Sequence, residues 1–150
     1  MPTPTEHKTV QSRILQYAQD IGWIYIDRAE AEKRRGFNNE SKNIQELCRT
    51  ASLYFEDLLF AKVKEFNPKY FENKSSLIKI FTAFNPDIYG NRDFLKYLRN
   101  EGTYYCKEEN RDLNLILIDY ENPQNNVFEV TEEFYWFNGR YGNREDIVFL

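Results

Sequence analysis

The spacing of apolar positions opens the chain on a helix. Val10, Ile14, Tyr17, Ala18 and Ile21 recur at helical intervals. Ahead of them, Thr3-Pro4-Thr5-Glu6 has the form of a helix start. It offers a capping threonine, a proline at the first helical position and a glutamate three residues after the cap. Gly22 stands where a helix ends. Trp23 to Ile26 predicts a short strand, and the charged residues 27–36 a helical turn or loop. A long amphipathic helix is expected from Ser41 to Phe66, with Ile44, Leu47, Cys48, Ala51, Phe55, Leu58, Leu59 and Phe66 on or near one face and Pro68 closing it. Residues 75–84 and 92–100 predict two shorter helices, one ended by Asn85-Pro86 and the other followed by Gly102.

The period then changes. Leu113 to Tyr120 is an apolar run of strand length, and Glu121 to Asn126 is a turn cluster. Val127 to Phe137 predicts a long strand with Phe128, Val130, Phe134 and Trp136 on one face by alternation. Asn138-Gly139 and Tyr141-Gly142-Asn143 make the next turn, and Asp146 to Leu150 begins another strand. There is no internal repeat, low-complexity tract or domain linker. The last residues read as a buried strand in progress, whereas chain ends usually reach the surface. The chain is therefore expected to be a fragment of a longer protein.

Composition narrows the function classes. A hydrophobic fraction of 41% with 17% aromatics excludes a disordered chain. No apolar run approaches the ~20 residues of a membrane helix, and Met1 to Lys8 has no apolar segment of the secretory kind. Cys48 and Cys106 lie far apart without CxxC spacing, which predicts free thiols in a reducing cytoplasm. The net charge of −4 does not suit a stand-alone DNA binder, because phosphate contacts supply most of such a protein's affinity. If this chain meets DNA, other domains or subunits are expected to hold it.

The chain contains one histidine, His7, which reads as a polar residue near a helix start, and neither a GxSxG elbow nor a glycine-rich phosphate loop. Carboxylates are the remaining chemical candidates. Asp146 follows a Gly-Asn-Arg turn and opens an apolar strand. It can satisfy that turn, or project from a sheet edge as a hard oxygen ligand for Mg²⁺. Glu132 sits among the apolar residues of the preceding strand, as a second carboxylate of a site or at a sheet margin with its charge in water. Glu6 reads as the reciprocal member of the helix cap.

Several runs together carry a family resemblance. They are Phe94-Leu-Lys-Tyr-Leu-Arg-Asn-Glu-Gly102, Asn114-Leu-Ile-Leu-Ile-Asp-Tyr-Glu-Asn-Pro-Gln-Asn-Asn126, Val130-Thr-Glu-Glu-Phe134 and Gly142-Asn-Arg-Glu-Asp-Ile-Val-Phe-Leu150. In this order they resemble the N-terminal nuclease domain of type I restriction enzyme R subunits. The opening helix through Ile21-Gly22-Trp23, and Phe55 to Leu59 through Asn67-Pro68, resemble the same family. The resemblance implies an α/β (α+β) fold of the restriction-endonuclease, PD-(D/E)xK-like kind, a mixed sheet flanked by helices and incomplete at its C-terminus. The 150 residues would be the front part of a single nuclease domain.

The resemblance places the catalytic, Mg²⁺-binding aspartate on Asp146 and the glutamate of the first helix on Glu6, a second candidate metal ligand. The Glu-x-Lys pair, a Gln and Tyr helix and two ATP-hydrolysing motor domains would lie beyond Leu150, so the chain alone is expected to be inactive. Implied partners are double-stranded DNA and the methyltransferase and specificity subunits, with no membrane. The chain departs from the pattern where Glu145 replaces a proline and Glu133 a glutamine. Two other readings stand beside this one: a helicase-linked nuclease of another anti-phage or repair system, and a non-catalytic domain docking a motor onto a methyltransferase core.

Overall fold

A computed structural model describes residues 10–37, 43, 46, 51–137 and 140–150. Its elements run α1 (Ser12–Asp20), β1 (Ile24–Tyr25), α2 (Arg28–Arg34), α3 (Glu56–Phe66), α4 (Lys74–Thr82), α5 (Ile88–Leu98), β2 (Thr103–Cys106), β3 (Arg111–Asn114), a 3-10 turn at Pro123–Asn125, β4 (Glu129–Phe137) and β5 (Gly142–Phe149). This is the mixed α/β class expected. The chain divides into two compact units. One takes the chain up to Phe55 and from Val127 onward, the other Glu56 to Asn126.

In the first unit, α1 ends as its glycine predicts. Gly22 adopts φ +100°, its N–H bonds the Gln19 carbonyl at 3.0 Å, and the Trp23 N–H reaches back to Ala18 at 2.9 Å. This is a left-handed helix stop that satisfies two terminal carbonyls. The chain turns directly into β1, which pairs in parallel with β4, while β5 pairs antiparallel on the other side of β4. Leu15 and Ala18 of α1 pack with Val130, against half-buried Trp23, Tyr25 and Ile147. The Trp23 ring stands edge-on to Phe149 at 4.8 Å and to Phe128 at 5.2 Å. Thr3 to Glu6, the expected cap, lies outside the described residues.

Asp27 caps α2 by accepting the Glu30 N–H at 2.8 Å. From this helix Arg34 reaches both carboxylate oxygens of Glu129, at 3.0 and 3.1 Å. Arg35, 3% exposed, lays its guanidinium 3.9 Å from the Phe134 ring centre. The expected apolar stripe along β4 is therefore broken: Val130 joins α1, whereas Phe134 lies under an arginine that follows α2. The break coincides with Glu133, whose φ of +55° interrupts the strand's alternation.

Three expectations are corrected, the first at residues 51–55 of the first unit and the other two in the second unit. The long helix expected over Ser41 to Phe66 does not run through residues 51–55, and α3 starts only at Glu56. Ser52 explains the break. Its N–H bonds the Arg35 carbonyl at 2.9 Å and its hydroxyl accepts the Tyr54 N–H at 3.1 Å, so local side-chain bonding replaces the helical ladder. Helix α4 forms close to its expected bounds, capped by Asn73. Helix α5 begins at Ile88, earlier than expected, because Asp87 caps it through the Gly90 N–H at 2.8 Å. Gly90 is required there, since a methyl group would collide with the Asn85 carbonyl.

The strand expected over Leu113 to Tyr120 is replaced by a short hairpin of β2 and β3, in which Thr103 pairs with Asn114 and Cys106 with Arg111. Beyond Asn114, two asparagine side chains take the place of a strand partner. Asn67 accepts the Ile116 N–H and donates to the Ile116 carbonyl, both at 2.8 Å. Asn100 accepts the Leu117 N–H at 2.8 Å and donates to the Ile118 carbonyl at 2.7 Å. Asp119 and Asn126 then close the Pro123 turn on itself, the Asn126 Oδ1 accepting the Asp119 N–H at 2.8 Å and the Asp119 carboxylate accepting the Asn122 N–H at 2.9 Å. Val63, Tyr70, Leu77, Phe81, Cys106 and Leu115 are the buried apolar residues of this unit. Cys106 is a free thiol, and Cys48 lies outside the described residues. No helix among the described residues is long and apolar enough to cross a membrane.

Candidate functional site

Asp146 lies within β5 rather than at its start, because the strand begins at Gly142. Its side chain is half-exposed, at 49%. Arg144 stands two residues earlier on the same strand, a spacing that puts both side chains on one side of the sheet. The Arg144 Nη2 is 3.7 Å from the Asp146 carboxylate, while its Nε is 3.0 Å from the Glu133 carboxylate on β4. The Arg144 guanidinium is held further in its charged form by a hydrogen bond to Tyr135 and then by the Glu133 charge.

The register explains why these groups meet. Glu132 pairs with Ile147 and Phe134 with Glu145, so Glu133 and Asp146 are the residues left between two ladder pairs. Nearby, the Arg28 guanidinium of α2 lies 5.0 Å from the Tyr135 ring centre, with its Nε on Glu32 at 2.6 Å. Two arginines thus flank Tyr135, each balanced by a glutamate.

Glu132 is not at a margin with its carboxylate in water, as one reading had it. It accepts the Tyr25 hydroxyl at 2.7 Å in a half-buried position. Burial, then this bond and the Glu132 charge, push the Tyr25 phenol up to about 12. Glu145, which stands where the family pattern has proline, accepts the Trp136 indole N–H at 2.9 Å and the Asn143 amide at 2.8 Å, a structural role. Glu6 and His7 lie outside the described residues.

Among the described residues no three His, Cys, Asp or Glu side chains gather as a metal-binding group. A magnesium site does not require such a cage. The ion usually keeps several waters and takes one or two carboxylates together with a substrate phosphate. The half-open Asp146 carboxylate fits that mode as a single ligand. The partners of Asp146 were missed in the sequence: Arg144 was legible from its two-residue spacing on a strand, whereas Glu133 depends on the register between strands.

A mixed sheet with helices packed on it defines the class as an α/β protein. The chain belongs to the family described as the type I restriction enzyme R protein N terminus, whose model matches residues 3–150. In comparisons with curated proteins and with solved structures, nothing matches.

Proposed function

We propose that this chain is the front part of the DNA-cleaving domain of a type I restriction R subunit, with a PD-(D/E)xK-type site built around Asp146. The observation that carries this reading is the half-open Asp146 carboxylate on the β5 strand, in a chain matched over residues 3–150 by the R protein N-terminal family. In this reading Asp146 is a ligand of Mg²⁺, and Glu6 a further candidate. When bound, the ion supplies Lewis-acid stabilisation of the phosphoryl charge and an activated water. The chain's own part is to hold one carboxylate at the mouth of the site. A Glu-x-Lys pair on a following strand completes such a site, so residues 1–150 alone leave DNA uncut. In the whole R protein, cleavage is coupled to ATP-driven translocation by motor domains. The partners are double-stranded DNA and the methyltransferase and specificity subunits, in the cytoplasm.

The test is Asp146→Ala in the full R protein assembled with its partners. Linearisation of supercoiled plasmid is expected to fall at least about a hundredfold, the scale of losing a catalytic metal ligand, while ATP turnover is kept. Normal cleavage by the variant removes Asp146 from the active site. Equal loss of ATP turnover makes the residue structural and favours a docking role for this chain between motor and methyltransferase.

A further inference from the structure

We propose that Glu133 is a positioning residue that keeps the Arg144 guanidinium off Asp146, so that the aspartate stays open to a cation. The inference deepens the nuclease reading above and rests on it for its functional consequence.

One guanidinium stands between two carboxylates, and the shares are unequal. Its Nε makes a charge-assisted contact with Glu133 at 3.0 Å, whereas Asp146 is left at 3.7 Å, beyond good hydrogen-bond length. The Glu133 side chain is the more enclosed of the two, at 23% exposure against 49% for Asp146. Less screening by water makes its hold on the arginine the stronger. Glu133 faces Asp146 across the β4–β5 register, so Arg144 reaches toward both carboxylates, and Glu133 takes the closer share.

The backbone is shaped to the same end. Glu133 adopts φ +55° within an antiparallel ladder that is intact on both sides of it. Asn100 and Asn110 also adopt positive φ, but asparagine tolerates that region and glutamate does so far less readily. Strain of this kind persists where surrounding contacts fix it, and it gathers at functional sites. Without Glu133, the nearest carboxylate for Arg144 is Asp146 itself. The guanidinium would then occupy the oxygens that a cation needs.

The experiment uses the 150-residue chain with Glu133→Gln, alone and combined with Arg144→Ala, and Asp146→Asn as control. A structure of Glu133→Gln is expected to show Arg144 drawn within about 3.2 Å of Asp146, the outer limit of an N–H···O bond. Titration with Mn²⁺ alone is expected to show about fivefold weaker binding in Glu133→Gln, the scale of one partly exposed ion pair, and recovery when Arg144→Ala is added. An Arg144 that stays off Asp146 in Glu133→Gln overturns the inference, whatever Mn²⁺ does. So does failure of Arg144→Ala to restore binding, which would make Glu133 a ligand itself. If the wild-type chain binds Mn²⁺ no better than Asp146→Asn, the metal reading fails instead, and the shift of Arg144 in the metal-free variant still decides the role of Glu133.

Discussion

The Tyr25 hydroxyl donates a 2.7 Å hydrogen bond to Glu132 across 107 positions of sequence. It ties the short β1 strand to β4 through side chains as well as through the two backbone pairs Ile24–Glu129 and Tyr25–Val130. The phenol, pushed up to about 12 from an ordinary 10, keeps its proton in the folded chain at pH values where the unfolded chain has lost it. Its contribution to stability is therefore complete below pH 10 and declines as pH rises from about 10 toward 12. Tyr25→Phe is expected to lower stability by about 1–2 kcal/mol at neutral pH, since it removes a hydrogen bond to a half-buried carboxylate, and to flatten the alkaline decline. Urea unfolding from pH 7 to 11, followed by Trp23 fluorescence, checks both.

Asn67 is the better target for testing the second unit. It is buried, at 5% exposure, and bonds the Val63 carbonyl and both backbone groups of Ile116. Asn67→Ala takes the side-chain partner from both backbone groups of Ile116 and is expected to cost about 2–4 kcal/mol. Hydrogen exchange at the Ile116 amide should accelerate more than at amides of β4 and β5. Equal acceleration in both units would contradict the local role.

Gly90 is expected to refuse even a methyl group. The obstacle is the Asn85 backbone, which cannot rotate away as a side chain could. Gly90→Ala should destabilise by about 1–3 kcal/mol, as overpacking does. Thermal unfolding followed by circular dichroism reads this, and an unchanged melting temperature would show that the start of α5 can shift.

Asp146→Asn should leave apparent stability within about 0.5 kcal/mol of wild type, because the residue is half-exposed and outside the core. Mg²⁺ should raise the wild-type midpoint and not that of the variant, through preferential binding to the folded state. Equal Mg²⁺ responses would remove Asp146 as a ligand.

Much of the first unit was legible because its signals are local. Gly22 marks the end of α1, and the run from Val127 to Phe137 contains β4 (Glu129–Phe137) almost intact. Two of the failures share one physical cause, side chains competing with regular backbone pairing. Ser52 diverts the chain where apolar spacing favours helix. Asn67 and Asn100, 49 and 17 positions from the amides they bond, take over a run whose composition favours strand. No pattern of apolar residues encodes such bonds. At the candidate site, the family resemblance singled out Asp146, but its relation to Glu133 and Arg144 needs the β4–β5 register, which follows from pairing rather than from either strand's sequence.

The second unit is contiguous from Glu56 to Asn126, whereas the sheet of the first joins Ile24–Tyr25 to strands that begin at Glu129. On the ribosome, all of the second unit is made before β1 has any partner. It is free to fold while the segment around Trp23 waits, since local contacts form sooner than distant ones. A released chain ending at Asn126 should protect the β2–β3 hairpin from protease and leave Trp23 to Ile26 open to cleavage. That interval exposes an apolar strand edge, and it is the stage of this protein's life at which a holding chaperone would have most to grip.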